Sequence, residues 1–107
     1  MSYVVNVLSR ASADSDIIFF WIVKRSRTGA ARWQVALEAA IDSLAINPEQ
    51  HHLAPEAKRL SEDIRELHFR TQNGRRYRLL FVVVGNEVRV LSVRGAGQPP
   101  ITADDLH

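Results

Sequence analysis

Cysteine is absent from this 107-residue chain, and with it every site that depends on a thiolate. No disulfide framework, zinc–thiolate site or thiol nucleophile can form, and this composition is typical of a reducing compartment. Long apolar runs are missing too: the longest, IIFFWIV at 17–23, has seven residues, far below the roughly 20 needed to span a bilayer. Asn6 and Arg10 interrupt the apolar residues near the N-terminus, so no signal peptide is predicted. We expect a soluble, cytoplasmic protein.

The motifs of several enzyme classes are also missing. The sequence contains no glycine-rich phosphate loop and no Ser/His/Asp order, and its carboxylates show no paired arrangement on any one face. His51 and His52 are adjacent in a loop and are expected to point apart, which argues against chelation. His68 lies in a predicted strand, where a lone histidine is more often structural than a general acid or base. We therefore expect no cofactor and no metal.

The composition that is present predicts one globular domain over residues 1–107, with 95–107 as a C-terminal arm. Hydrophobic residues make up 46% and charged residues 24% of the chain, which is typical of globular proteins. The net charge is +2, but residues 1–57 carry −1, residues 58–94 carry +5 and the last segment carries −2. This segregation predicts that the second half meets a polyanion or an acidic partner.

Hydrophobic periodicity predicts an α+β domain. The predicted elements are a strand at 3–9, a helix from Ala13 to Ser26 capped by Ser12 or Asp14, a helix from Thr28 to about Ile46, and strands at 64–71, 76–84 and 87–94. The second helix has one apolar stripe, which consists of Trp33, Leu37, Ala40, Ile41 and Leu44. The order β-α-α-β-β-β indicates a helical hairpin packed on a small, mainly antiparallel sheet.

Turn residues support these connections. Asn47-Pro48 is expected to end the second helix, because proline disfavours a helical conformation in the residue before it. Gln72-Asn73-Gly74 and Gly85-Asn86 are predicted to join the last three strands as hairpins. The polar segment 48–63 has two prolines and no sustained period, so it is predicted to be a loop with at most one short turn.

Three arginines lie on strands that consecutive hairpins should place side by side: Arg65, Arg78 and Arg94. Guanidinium groups bind phosphate or carboxylate through two donors at once, and in a nuclease they could stabilise charge on a scissile phosphate. In the other interpretation, arginines at strand ends only improve solubility and protect edges. Strand parity places Arg78 with Leu80, Val82 and Val84, and Arg94 with Val88 and Val90. Further contacts to RNA or a partner are expected from Lys58, Arg59 and Arg76.

The centre of the first helix, Ile17 to Val23, is apolar on every side. A domain this small cannot bury all faces of one helix, so the pattern predicts a protein partner over Phe19, Phe20 and Trp21. The other interpretation is that Phe20 and Trp21 are ordinary half-buried surface aromatics.

Several short motifs occur in an order that covers nearly the whole chain. They are Ala13 and Asp16 at the start of the first helix, Ala30, Arg32 and Trp33 opening the second, Ala40 to Leu44 followed by Asn47 and Pro48, then Ile64–Leu67, Tyr77–Val83 and Val88–Arg94. In this order and spacing the chain resembles toxins of the RelE/ParE family of bacterial type II toxin–antitoxin systems, which are often described as plasmid-stabilisation proteins.

The resemblance implies growth inhibition when a labile, acidic antitoxin is lost, with that antitoxin bound across the aromatic helix in a hetero-oligomer. RelE-like members cut mRNA within the ribosome, and Arg78 matches their strand arginine near the scissile phosphate, with Arg65 and Arg94 as further catalytic candidates. ParE-like members inhibit DNA gyrase and are not enzymes. Gly95 stands where many relatives have histidine, which leaves only His107 or the acidic tail as a base. We therefore expect gyrase inhibition, with mRNA cleavage, an inactive remnant that only binds antitoxin, and a plain nucleic-acid-binding domain as alternatives.

Overall fold

The computed structural model describes residues 2–71, 74–96 and 98–106, and these residues have the α+β architecture predicted from the sequence. In chain order the elements are β1 (Val4–Val7), α1 (Ser9–Val23), α2 (Arg27–Ser43), a 3₁₀ turn (Pro48–Gln50), α3 (Pro55–Leu60), β2 (Arg65–Phe69), β3 (Tyr77–Val84), β4 (Glu87–Gly95) and a second 3₁₀ turn (Ala103–Leu106). The predicted order β-α-α-β-β-β is confirmed, with the short helix α3 added in the segment predicted to be a loop.

Helix α1 begins at Ser9 rather than at Ala13, and no side-chain hydrogen bond caps it. The preceding residue, Leu8, is extended, and its backbone N–H donates to the carbonyl of Val90 at 3.0 Å. The chain therefore passes directly from the sheet into the helix.

Asp14, expected as a helix cap, instead ties α1 to the sheet. Its carboxylate accepts hydrogen bonds from the Ser92 hydroxyl at 2.6 Å and from the Val93 backbone N–H at 3.2 Å. These two residues lie on β4 beyond the part that pairs with β1. The carboxylate thus satisfies a strand-edge donor that lacks a neighbouring strand.

Helix α2 is capped by Ser26, whose side chain accepts a hydrogen bond from the Gly29 backbone N–H at 2.9 Å. The cap is therefore two residues before the predicted Thr28. The helix ends at Ser43, and Asn47 then takes a left-handed conformation with φ of 47° before the proline that stops the helical path. The apolar stripe predicted for this helix is confirmed, since its members are buried or partly buried against the sheet.

The four strands form one sheet in the order β1-β4-β3-β2. Strand β1 is parallel to β4, with Val4 opposite Glu87, and the other two pairs are antiparallel, as the sequence predicts. Gly85 and Asn86 form the turn between β3 and β4, where Gly85 takes a φ of +61° that suits glycine. The other predicted turn includes Gln72 and Asn73, which lie outside the described residues.

A β-bulge at Leu91 changes which face the second half of β4 presents. Val88 and Val90, before the bulge, pack in the cluster beneath α1 and α2. Arg94, after the bulge, is paired with Arg78 and lies on the opposite face. The prediction that Arg94 shares a face with Val88 and Val90 is therefore wrong, because simple alternation fails across an inserted residue.

Two clusters of buried side chains fill the two sides of the sheet. The first lies beneath α1 and α2 and includes Trp33, Leu37, Leu44, Leu79, Phe81 and Val90. The second lies beneath α3 and the C-terminal segment and includes Ala54, Ala57, Ile64, Leu80, Leu91 and Ile101. The segment 98–106, expected as an extended arm, therefore packs on the sheet, with Ile101 fully buried. Among the described residues, the helices are too short or too polar to cross a membrane.

Candidate functional site

Arg78 is the centre of a charged cluster on the face of the sheet that α3 covers. Its two terminal nitrogens donate to both carboxylate oxygens of Glu56, at 2.9 and 2.7 Å. One of them also donates to Glu66 at 3.3 Å. This bidentate geometry is the strongest form of arginine–carboxylate contact, and it holds the guanidinium in one place.

The two carboxylates come from different elements and are deeply buried. Glu56 lies in the first turn of α3 and is 2% exposed, while Glu66 lies on β2 and is 6% exposed. Glu56 also accepts a hydrogen bond from the backbone N–H of Ile101 at 3.4 Å. The expectation that no carboxylates pair on one face is therefore wrong, because α3 brings Glu56 across the sheet to Glu66.

Electrostatics keeps both carboxylates ionised. The hydrogen bonds from Arg78 lower the pKa of Glu56 and outweigh the opposing effect of burial. Burial by itself would raise the pKa of Glu66, but hydrogen bonds from His68, His52 and Arg78 outweigh it, so that pKa is lowered. The two carboxylates outnumber the guanidinium of Arg78, and Arg59, which lines the same cavity, adds a second positive charge.

Arg94 is held separately, by the C-terminal segment. It is the register partner of Arg78, and it donates to Asp105 at 3.3 Å. Asp105 also forms an ion pair with Arg10 of α1 at 3.1 Å. Among the described residues, the Nε atom of Arg94 is buried and has no hydrogen-bond partner. The carboxylate of Asp105 thus compensates Arg94 and fastens the tail to both the sheet and α1.

Arg65 does not join the other two arginines. It is opposite Phe81 in the register of β2 and β3, whereas Arg78 is opposite His68. Successive strand residues point to opposite faces, so Arg65 and Arg78 lie on different faces of the sheet. The guanidinium of Arg65 donates to the backbone carbonyls of Glu49 and His51, at 3.2 and 2.6 Å, and so anchors a loop. The strands that carry Arg65, Arg78 and Arg94 lie side by side, as predicted, but only Arg78 and Arg94 share a face of the sheet.

The other predicted contacts are dispersed. Lys58 is exposed on α3, and Arg76 is exposed just before β3. Arg59 is also exposed, but it lines the cavity beside Arg78 and donates to the carbonyl of Ile101 at 2.6 Å, so it contacts the C-terminal segment.

The apolar residues predicted to bind a partner form an exposed patch on α1. Ile17 is 67% exposed, Phe20 63% and Trp21 42%. Phe19 is partly buried against the core and meets Phe20 edge to face, with ring centroids 6.1 Å apart. We define the apolar patch as Ile17, Phe20 and Trp21, with Phe19 supporting it from below. Ile17 was missed, although the spacing i, i+3, i+4 places it on the same helical face as the two aromatics.

Two arginines border this apolar patch. The guanidinium carbon of Arg25 lies 3.9 Å from the centroid of the Trp21 ring, and that of Arg75 lies 5.4 Å away. These are cation–π distances, so the patch has a positive rim. Beside it, a small cavity of about 240 Å³ is lined by Ile17, Ile18, Trp21, Arg75, Gly95, Ala96 and Gln98. The patch therefore combines exposed apolar area, a concave edge and positive charge, which suits an amphipathic and acidic segment.

Comparison with known proteins adds a family assignment. A protein-family model described as ParE toxin of type II toxin-antitoxin system, parDE, matches residues 5–100. That match spans every helix and strand except the start of β1 and the final 3₁₀ turn. A search of curated proteins finds no match to the chain.

Proposed function

Because the chain belongs to the family of ParE toxins of type II toxin–antitoxin systems, we propose that it stops growth in the cytoplasm by binding and inhibiting DNA gyrase. Family membership makes it a toxin with an antitoxin partner. The gyrase target and the absence of RNA cleavage are what we propose. The main support for this proposal is that Arg78 is already bound by two carboxylates.

The compensation of Arg78 supports binding rather than RNA cleavage. A catalytic arginine acts by meeting negative charge as it develops on a scissile phosphate, which requires a guanidinium with donors free to reach that phosphate. Arg78 instead donates to two carboxylates that are almost fully buried, so its terminal nitrogens are already engaged. A phosphate approaching this cluster would be repelled by Glu56 and Glu66 and would have to displace one of them.

The other candidate groups for cleavage support the same proposal. Arg94 is 12% exposed and bound to Asp105, so neither residue is free to meet a substrate. Arg65 lies on the other face of the sheet. His107, the remaining base suggested by the sequence, lies outside the described residues.

We assign antitoxin binding to the apolar patch of Ile17, Phe20 and Trp21. Exposed aromatic side chains in the centre of an interface contribute most of the binding energy in many complexes. The rim of Arg25 and Arg75 would attract acidic groups of the antitoxin, while an apolar helix face or strand would cover Phe20. Lys58 and Arg76 are exposed and remain candidates for contact with the target.

A matched double variant separates the two mechanisms. Replacing Glu56 and Arg78 together by methionine removes both members of the bidentate ion pair, and apolar replacement of such pairs is often tolerated. Glu66 loses its hydrogen bond from Arg78 but keeps those with His52 and His68. We expect the natural chain and the folded double variant to block supercoiling by purified gyrase at similar concentrations, and to leave a reconstituted translation reaction active.

Three other outcomes of these experiments would contradict the proposal, and each would support one of the alternatives. Cut mRNA and arrested translation that disappear in the double variant would establish ribosome-dependent cleavage. Antitoxin binding without inhibition of either gyrase or translation, together with normal growth after induction, would identify an inactive remnant. Binding to DNA or RNA of any sequence, falling steeply with salt, would identify a nucleic-acid-binding domain.

A further inference from the structure

Two histidines and one carboxylate converge at the edge of the Arg78 cluster. The Nε2 atom of His52 lies 2.9 Å from one carboxylate oxygen of Glu66, and the Nε2 atom of His68 lies 3.0 Å from the other. The three candidate ligand atoms all lie within 4.8 Å of one another. His52 comes from the loop before α3, whereas Glu66 and His68 are on β2.

The backbone and the neighbouring charges hold these groups in place. The N–H of Glu66 donates to the carbonyl of His52 at 3.1 Å, which fixes the loop to the strand. His68 is two residues after Glu66 and therefore points to the same face of the sheet. Arg78 donates a hydrogen bond to Glu66 at 3.3 Å, and Arg78 in turn is bound by Glu56. Hydrogen bonds of this kind orient ligating carboxylates in metal sites.

We propose that His52, Glu66 and His68 bind a divalent transition metal, with Zn²⁺ as the ion that fits best. Two imidazoles and one carboxylate are a ligand set typical of zinc, which binds such nitrogens and oxygens at about 2.0–2.2 Å. To share one ion at those distances, the ligand atoms must lie roughly 3.3–3.6 Å apart. The present nitrogen–oxygen contacts therefore open by a few tenths of an ångström, and the two imidazoles, which now meet different oxygens of Glu66, converge on the same ion. This differs from the sequence-based expectation, in which no metal binds.

Charge and access also suit a cation. The charge of Arg78 is compensated by Glu56, so Glu66 retains its own negative charge for the ion. The side chain of His52 is 69% exposed and that of His68 is 34% exposed, which leaves a path from solvent and room for water as a fourth ligand. The bound ion would join the loop before α3 to β2 by a direct link.

The adjacent histidine provides a matched control. His51 turns away from Glu66, and its ring packs edge to face on Phe81, with centroids 5.8 Å apart. Loss of His52 or His68 should therefore remove a metal ligand, whereas loss of His51 should not.

The test is calorimetric titration of the purified, tag-free full chain with Zn²⁺, with Mg²⁺ and Ca²⁺ as comparison ions. We expect one Zn²⁺ per chain, no comparable binding of the two hard cations, and at least about a 10-fold weaker affinity in His52→Ala and in His68→Ala. The His51→Ala variant should bind as the natural chain does. A hundred-fold excess of free Zn²⁺ over Kd should raise the melting temperature of the natural chain by about 5 °C or more.

Circular dichroism establishes that each variant is folded before titration. Because His52 is exposed, we expect His52→Ala to disturb the fold least. The proposal is overturned if the natural chain fails to bind at about 1 mM Zn²⁺, since a preformed three-ligand site should be far stronger. It is also overturned if folded His52→Ala and His68→Ala bind as tightly as the natural chain. Neither result depends on whether the target is gyrase.

Discussion

Arg78 and Arg94 are opposite each other on β3 and β4, yet each is bound by a carboxylate from a different segment. Glu56 of α3 holds Arg78 at 2.7 Å, and Asp105 of the C-terminal segment holds Arg94 at 3.3 Å. Two adjacent positive charges on one face of a sheet would repel each other without such partners. In this fold they therefore contact and anchor the two segments that cover the second core.

Replacing Glu56 with glutamine should destabilise the protein, because Arg78 loses its bidentate partner in a buried site. We expect a loss of about 2–3 kcal/mol, somewhat less than for a fully buried pair, because Arg78 is 24% exposed and keeps Glu66. Urea denaturation measures the change. Glu62→Gln, at an exposed position nearby, is the control and should change stability by less than about 0.5 kcal/mol. Equal stability of the two variants would show that the ion pair contributes nothing.

Stability should fall in acid, and Glu56 and Glu66 should account for part of that fall. Their pKa values in the folded protein are below the ordinary value of 4.5, so the unfolded chain binds more protons in this range. Their stabilising effect is complete above about pH 5 and is lost as pH falls through the folded-state pKa values. Urea midpoints at pH 6, 5, 4 and 3 test this.

The same titration in Glu56→Gln isolates one of these groups. The difference in unfolding free energy between pH 6 and pH 3 should be smaller in the variant, since one titrating carboxylate is gone. An identical pH dependence in the natural chain and the variant would contradict the lowered pKa of Glu56.

Truncating Phe20 should weaken antitoxin binding with little effect on the fold. Its side chain is 63% exposed, so Phe20→Ala should change unfolding free energy by less than about 1 kcal/mol. Loss of a central aromatic anchor should weaken the complex by about 2 kcal/mol, or roughly 30-fold in Kd, by calorimetry with the cognate antitoxin. Val35→Ala on α2 is the control, because Val35 is similarly exposed but lies outside the apolar patch. If both variants bind equally well, the antitoxin does not cover Phe20.

Truncating Ile101 should cost as much stability as a change in the central core. Its side chain is fully buried in the second cluster, so Ile101→Ala should lower the unfolding free energy by about 2–4 kcal/mol. The exposed Ile46 offers a matched control, for which the same substitution should cost less than about 1 kcal/mol. A small effect at Ile101, equal to that at Ile46, would indicate that the C-terminal segment leaves the sheet in solution.

Periodicity was sufficient to predict the strands, the two long helices and the stripe on α2. Each of these elements repeats an apolar pattern over enough residues for burial to decide its structure. Helix α3 was missed because six residues are less than two helical turns, too few for periodicity to show, although Pro55 and Glu56 in its first turn and Lys58 and Arg59 in its last turn are helix signals. The bulge at Leu91 was missed because an inserted apolar residue in a buried strand looks like any other.

The site was predicted less well, because charged groups were assigned without their partners. Arg78 and Arg94 lie on adjacent strands, as expected, but Glu56, 22 residues from Arg78, and Asp105, 11 residues from Arg94, were not predicted to compensate them. The arrangement of His52 and Glu66 depends on a loop crossing that no local pattern encodes. In contrast, Phe20 and Trp21 were recognised because exposed aromatics on an apolar helix are visible in a single window.

The pairing of β1 with β4 has a consequence for how the toxin is made. Val4 is opposite Glu87 and Val7 is opposite Val90, so β1 can pair with β4 only after residue 90 has been synthesised. Until then the nascent chain lacks one edge of its sheet, and long-range pairing of this kind forms slowly. A polypeptide that ends before β4 lacks the strand that joins β1 to β3, so the four-stranded sheet can form only after translation has passed that strand.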